Sequence, residues 1–306
     1  MVSDPRHFRR LLRPVRQPRR YSLSRAAGAD TGPERGGVTV TDGLWTLAEG
    51  VEAAVREVGA GLAARRSAEP VTARTVEEAA ARLAELDGPA AAALRERLTA
   101  LRPRAGWVSE ELDGPVPAEG DWWLCDATDG AVQYLLGQPH WAVTATLVRD
   151  GAAVLAVVHA PEQDGRTYRA VLGGGAELDG RPIAPLEREL AVTVAATSQP
   201  PRVAADPVAL RRAGESLSAM AGAVLAVRNL GPTALQVAQV GSGHLALFWE
   251  YGLDAGNLLP GALIAREAGA TVTDAAGAAW TAGSDGFLAA APGLHARALE
   301  VLRTVR

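Results

Sequence analysis

The sequence predicts an α/β chain, α+β in its first half and alternating α/β in its second. Three observations carry that expectation. Leu44, Leu47, Val51, Val55, Val58 and Leu62 recur at spacings of three and four, the stripe of an amphipathic helix. The apolar runs 143–148 and 154–158 flank Arg149-Asp150-Gly151, and Asp-Gly between such runs marks a hairpin. From about Leu190 onward, short apolar runs and helical patterns alternate.

Composition narrows the class. The 306 residues suffice for a sizeable core. Residues 1–40 hold nine Arg against Asp4, Asp30 and Glu34, with little to bury, so a basic, disordered arm is expected there. The remainder carries 22 basic and 32 acidic residues, which makes the body acidic. The domain expectation is therefore an arm over 1–40, an α+β half over 41–189 and an α/β half over 190–306 completing a cleft. The absence of lysine excludes Schiff-base chemistry and a P-loop Lys. A single cysteine, Cys125, excludes an internal disulfide and a Cys-based zinc site. No apolar run reaches the ~18 residues of a membrane span. The chain opens without the long apolar segment of a secretory signal. A cytoplasmic protein with a small-molecule substrate, no membrane and no nucleic-acid partner is expected.

Taken in order, a helix starts at Thr41-Asp42 and carries the stripe to Leu62. A second runs from Val76 to Leu86, where Asp87-Gly88-Pro89 is expected to break it before a third helix reaches Leu101. After the hairpin, Gly173-Gly174-Gly175 is not followed by a helical pattern, so it reads as a tight β turn. In the second half, 192–196, 223–227 and 245–249 read as strands, the last ending at Glu250. Asp206-Pro207 opens a helix to Met220, another starts near Gly231, and Asn257 is expected to cap one that Gly269 ends.

Chemistry concentrates in Trp122-Trp123-Leu124-Cys125-Asp126-Ala127-Thr128-Asp129-Gly130-Ala131. A buried strand that delivers two acids at its mouth needs a cation or a shared proton there. Glu110 and Glu111 lie a short way upstream. Four converging carboxylates suit a cation site or an acid/base site. Asp-x-x-Asp-Gly is equally an ordinary turn, with Asp bonding its own backbone and Gly at positive φ.

These residues resemble the inositol monophosphatase family. Its Gly-Glu-Glu segment reads Ser109-Glu110-Glu111 here, and its Asp-Pro-Ile/Leu-Asp-Gly-Thr reads Asp126-Ala127-Thr128-Asp129-Gly130-Ala131. Its Trp-Asp-x-Ala-Ala-Gly and Glu-Ala-Gly-Gly resemble Gly256-Asn257-Leu258-Leu259-Pro260-Gly261 and Glu267-Ala268-Gly269-Ala270. The resemblance runs from about residue 42 to the C-terminus and implies a layered αβαβα sandwich, a homodimer, and Mg²⁺-dependent phosphatase chemistry. It places Glu110, Asp126, Asp129 and the Thr128 carbonyl on metal. Glu250 falls on substrate hydroxyls, with Gly130, Ala131, His140 and Asn257 lining the substrate site.

Three positions depart from the family pattern. Asn257 stands in place of an Asp on the second metal, and Ala131 in place of a water-orienting Thr. Thr75 falls where the acid of Asp-x-Val-Thr-x-x-Asp helps position water. They lead to the expectation of a repurposed enzyme in specialised metabolism, with Mg²⁺ at most at a reduced site. In it Glu110, Glu111, Asp126 and Asp129 would move protons in a cyclisation, dehydration or isomerisation. A slow Mg²⁺-dependent phosphatase for a sugar, cyclitol or nucleotide phosphate, and a non-catalytic pseudophosphatase scaffold, are the alternatives.

Overall fold

The computed structural model describes residues 40–67, 69, 73–108, 116–200 and 203–306. The arm expected over 1–40 lies, Val40 apart, outside the described residues, as do Glu110 and Glu111. All described residues belong to one compact unit, Val38–Arg306.

Helices α1 (Val40–Arg65) and α2 (Val76–Leu101) form the first layer. The stripe predicted for α1 is the face it buries: Leu44, Val51, Val55, Val58 and Leu62 pack with Leu94 and Leu98 of α2. Helix α2 runs unbroken through Asp87-Gly88-Pro89, where a break was expected. A mid-helix proline costs ~3 kcal/mol. Leu94 and Leu98, both fully buried beyond it, return about 1.5–3 kcal/mol each. Tertiary burial outweighs the local breaker.

The second layer is a sheet in sequence order: β1 (Gly106–Trp107), β2 (Asp121–Asp129), β3 (Ala142–Arg149), β4 (Ala152–Ala160), β5 (Arg166–Val171), β6 (Gly175–Leu178) and β7 (Arg181–Pro182). It is antiparallel except where β1 runs parallel to β2. The predicted hairpin joins β3 and β4 through Asp150 (φ 49°) and Gly151 (φ 82°), two consecutive positive-φ residues that match the strand twist. The glycine run forms the β5–β6 turn, and the Gly173 and Gly175 amides each donate to the Glu267 carboxylate at 2.9 Å. Nothing remains in that turn to cradle a phosphate.

The third layer is a helix pair, α5 (Thr233–Gly241) and α6 (Ala255–Glu267), and α3 (Ala131–Leu135) is a single turn after β2. Beyond the pair lies a second sheet of β8 (Val194–Thr197), β9 (Ala226–Arg228), β10 (Leu247–Tyr251), β11 (Thr271–Thr273) and β12 (Gly286–Ala290). Its order is β11-β12-β10-β8-β9. Helices α4 (Pro207–Ala223) and α7 (Pro292–Leu302) cover the outer face. Four apolar seams hold the five layers together. This is the αβαβα sandwich.

Several boundaries differ from expectation. Leu190–Val192 is a 3-10 turn, so β8 starts at Val194, and α4 continues to Ala223, so β9 starts at Ala226. Glu250 lies inside β10 rather than at its end. Asp254, not Asn257, occupies the position before α6, so Asn257 sits in the first turn of that helix.

Candidate active site

Strand β2 sorts its side chains by alternation. Trp123, Cys125 and Ala127 face the α1–α2 seam, and Leu124 packs on the opposite seam. Asp126 shares the parity of Leu124. The β2–β3 register then shifts, Asp126 pairing with Thr144 and Asp129 with Ala142, an irregularity of the kind that re-aims side chains beside active sites. Asp126 Oδ1 accepts from the Thr128 amide at 2.7 Å. Gly130 holds φ 88°, and a Cβ there would lie 2.7 Å from the His140 carbonyl oxygen and 3.1 Å from Trp141 Cα. The turn reading of Asp-x-x-Asp-Gly therefore holds, with Asp126 bonding its own backbone and Gly130 at positive φ.

Thr128 is buried, and its hydroxyl donates to Asp87 Oδ1 of α2 at 2.7 Å. Asp87, read in the sequence as part of a helix breaker, is the acid by which α2 meets the Asp126–Asp129 turn. Thr75, which stands where the family pattern has its water-positioning acid, caps α2: its Oγ1 accepts from the Glu78 amide at 3.2 Å. About three helical turns separate the two.

Asp129 is only 5% exposed, and its Oδ2 has no hydrogen-bond partner among the described residues. The backbone N–H of Ala234, in the first turn of α5, serves its carboxyl. Burial first, then the charges of Asp126 and Asp254, push the Asp129 carboxyl well above the usual carboxylate range. Glu250 is 1% exposed and raised in the same way, by burial and then by Asp254. Asp254 is buried and takes the Asn257 amide on Oδ1 at 2.7 Å. Ala131 opens α3, and His140 is half-buried beside Gly130.

Buried acids that raise one another lack a positive charge. Hard oxygen donors with a sealed, unserved oxygen on Asp129 fit a divalent cation such as Mg²⁺. Among the described residues no group of three or more His, Cys, Asp or Glu is already arranged to hold a metal. The fourth predicted carboxylate, Glu110, lies outside them. A cavity of about 430 Å³ sits on the other side of β2, lined by Arg95, Trp107, Cys125 and Ala127, and is separate from the acids. Cys125 is half-exposed at its wall.

Residues 45–306 match the model of the inositol monophosphatase family. The chain belongs to that family. An inositol-1-monophosphatase of Rhizobium meliloti is 34% identical over 202 residues, covering 64% of this chain and 73% of that protein. The probable inositol 1-monophosphatase ImpA of Mycobacterium tuberculosis is likewise 34% identical over 202 residues, with the same two coverages of 64% and 73%. Among solved structures, Mycobacterium tuberculosis SuhB superposes with a TM-score of 0.69 at 26% identity, over 86% of this chain and 98% of that one. The inositol monophosphatase from Anabaena, at 20% identity, shares the fold with a TM-score of 0.71 over 86% of this chain and 97% of that one.

These relatives correct the expectation of a cyclisation, dehydration or isomerisation enzyme: they are named as phosphatases. The scaffold role and the place in specialised metabolism gain no support.

Proposed function

We propose that this member of the inositol monophosphatase family is a metal-dependent phosphomonoesterase acting on a phosphorylated cyclitol or sugar. The observation that carries the reading is the Asp126–Asp129 turn backed by Asp87, in a chain whose relatives are named inositol-1-monophosphatase. Asp126, Asp129, the Thr128 carbonyl and Glu110 would hold Mg²⁺. When bound, such an ion offsets charge on the phosphoryl group and lowers the pKa of a nearby water.

The chain's own residues supply the rest. Asp87, held by the Thr128 hydroxyl, is the acid assigned to take up the proton of the attacking water. The first turn of α5 stabilises the Asp129 anion through the Ala234 N–H and the helix dipole. Gly130 lets β2 turn so sharply that Ala131 and the His140 backbone border the space where substrate would lie. Asn257 would border the same space, while Glu250, sealed beside Asp254, would back the site from behind rather than meet substrate hydroxyls.

The homodimer, the cytoplasmic setting and the division into halves at 41–189 and 190–306 belong to the same proposal. A solution mass of twice the 31.7 kDa chain tests the first of these. No helix among the described residues is long and apolar enough to cross a membrane.

The reading is tested with a panel of inositol, sugar and nucleotide monophosphates and the purified chain. Phosphate release that needs Mg²⁺ and is lost in Asp126→Asn is expected. Silence across the panel with both Mg²⁺ and Mn²⁺ would overturn it.

A further inference from the structure

We infer that Gln133 is a positioning residue for the reaction proposed above: its amide holds the loop 230–232 on the acid turn, so that the first turn of α5 meets Asp129. The inference rests on the phosphomonoesterase reading and adds to it a residue that acts through its neighbours.

Two adjacent side chains of the single-turn helix α3 anchor it in opposite directions. Tyr134 is buried, and its Oη donates to the Leu62 carbonyl of α1 at 2.8 Å. Gln133 Nε2 donates the other way, at 3.1 Å, to the Leu230 carbonyl, 97 residues along the chain in the loop that links β9 to α5. Because Tyr134 fixes α3 to the first layer, the Gln133 bond acts on the loop.

Two close approaches lay that loop on the acid turn. Gly231 stands at φ 62°, and a Cβ there would overlap Gln133 Nε2, so the amide fills the space that a side chain would need. A Cβ on Gly130 would lie 3.3 Å from Pro232 Cβ, so the turn after Asp129 packs against the residue that precedes α5. On its other side α5 is tied to the end of β8, where Thr233 Oγ1 donates to Ser198 Oγ at 2.8 Å. The Ala234 N–H that serves Asp129 follows Pro232 by two residues, which leaves little chain to absorb a shift of the loop.

Magnitudes separate a brace from a positioning bond. One exposed hydrogen bond adds little to stability. A shift of about 1 Å in a group that sets the reacting geometry can cost as much as 10²-fold in rate. A positioning role therefore predicts a loss of kcat in a chain that remains folded.

The experiment compares the full-length wild type with Gln133→Met, which keeps the length of the side chain and removes the donor. Hydrogen–deuterium exchange read by mass spectrometry follows residues 230–236, and phosphate release from inositol 1-phosphate with Mg²⁺ gives kcat and KM. Gln133→Met is expected to exchange faster over 230–236 but not over 55–62 of α1. Its kcat should fall by about 10-fold while KM changes by less than about 3-fold. Gly231→Ala tests the same contact from the other side. Its effect on exchange is expected to be smaller in a Gln133→Ala background, where the obstructing amide is gone and only the strain of a positive φ remains.

Unchanged exchange over 230–236 in Gln133→Met, or a Gly231→Ala effect of equal size in both backgrounds, would overturn the assignment. Faster exchange with an unchanged kcat would overturn it too, leaving Gln133 a brace alone. If wild type releases no phosphate, the phosphatase reading falls, while faster exchange with the Gly231 coupling still upholds the placement of α5 by Gln133.

Discussion

Asp87 and Thr128 hold the most direct residue-level prediction. Their 2.7 Å hydrogen bond joins α2 to the acid turn, and the account gives Asp87 the proton of the attacking water. Asp87→Asn keeps the size of the side chain and an oxygen for Thr128, so folding should survive while kcat falls by about 10²–10³. Equal kcat in variant and wild type would remove Asp87 from the mechanism. Away from the site, His159 is buried against Thr167 Oγ1 at 2.9 Å. Burial, with Arg56 adding to it, lowers its pKa to about 4, against opposing contributions from the Arg166 backbone and Asp179. The folded pKa lies below the unfolded value near 6.5. The unfolded chain therefore binds the proton first, and stability is lost as pH falls from about 6.5 toward 4. At pH 5 the loss is about 2 kcal/mol from this residue. Urea unfolding at pH 7 and pH 5 should show a smaller drop for His159→Gln than for wild type.

At the scale of elements, α1 offers a contrast between two glycines. A glycine inside a helix costs about 0.5–1 kcal/mol relative to alanine, so replacement ordinarily stabilises. Gly61 faces open space, its nearest would-be contact being Arg65 at 4.0 Å, and Gly61→Ala should raise the melting temperature. A Cβ on Gly59 would lie 2.7 Å from His159 Cδ2 and 2.8 Å from Pro161 Cγ, where α1 rests on β4. Gly59→Ala should cost about 1–3 kcal/mol by pushing the helix off the sheet. Opposite signs in thermal melts check the packing of the first seam; equal signs would contradict it. The elements also show what could be read in advance. The α1 stripe, the β3–β4 hairpin and the Asp206 cap were legible because each depends on local spacing and turn chemistry. Asp87 and Asp254 were not. Asp87 is presented by a helix that continues past Pro89 only because Leu94 and Leu98 are buried in another layer. Asp254 precedes a helix that starts earlier than Asn257 suggested, and its neighbours are Asp129 of β2 and Glu250 of β10.

For the whole molecule, five layers bring β2, α2, α5 and α6 to one place from positions far apart in the sequence. Each contributes a polar group: Asp126 and Asp129 from β2, Asp87 from α2, the Ala234 amide from α5, and Asp254 with Asn257 at the start of α6. No single segment contains the site, which is why substitutions read one motif at a time suggested erosion. The measurement that bears most directly on this account is the initial rate of phosphate release from inositol 1-phosphate as Mg²⁺ is titrated, with wild type and Asp126→Asn side by side. The account predicts a rate that rises from baseline and saturates with Mg²⁺ in wild type and stays at baseline in the variant. A wild-type rate that stays at baseline at every Mg²⁺ concentration, or a variant that matches wild type, would contradict it.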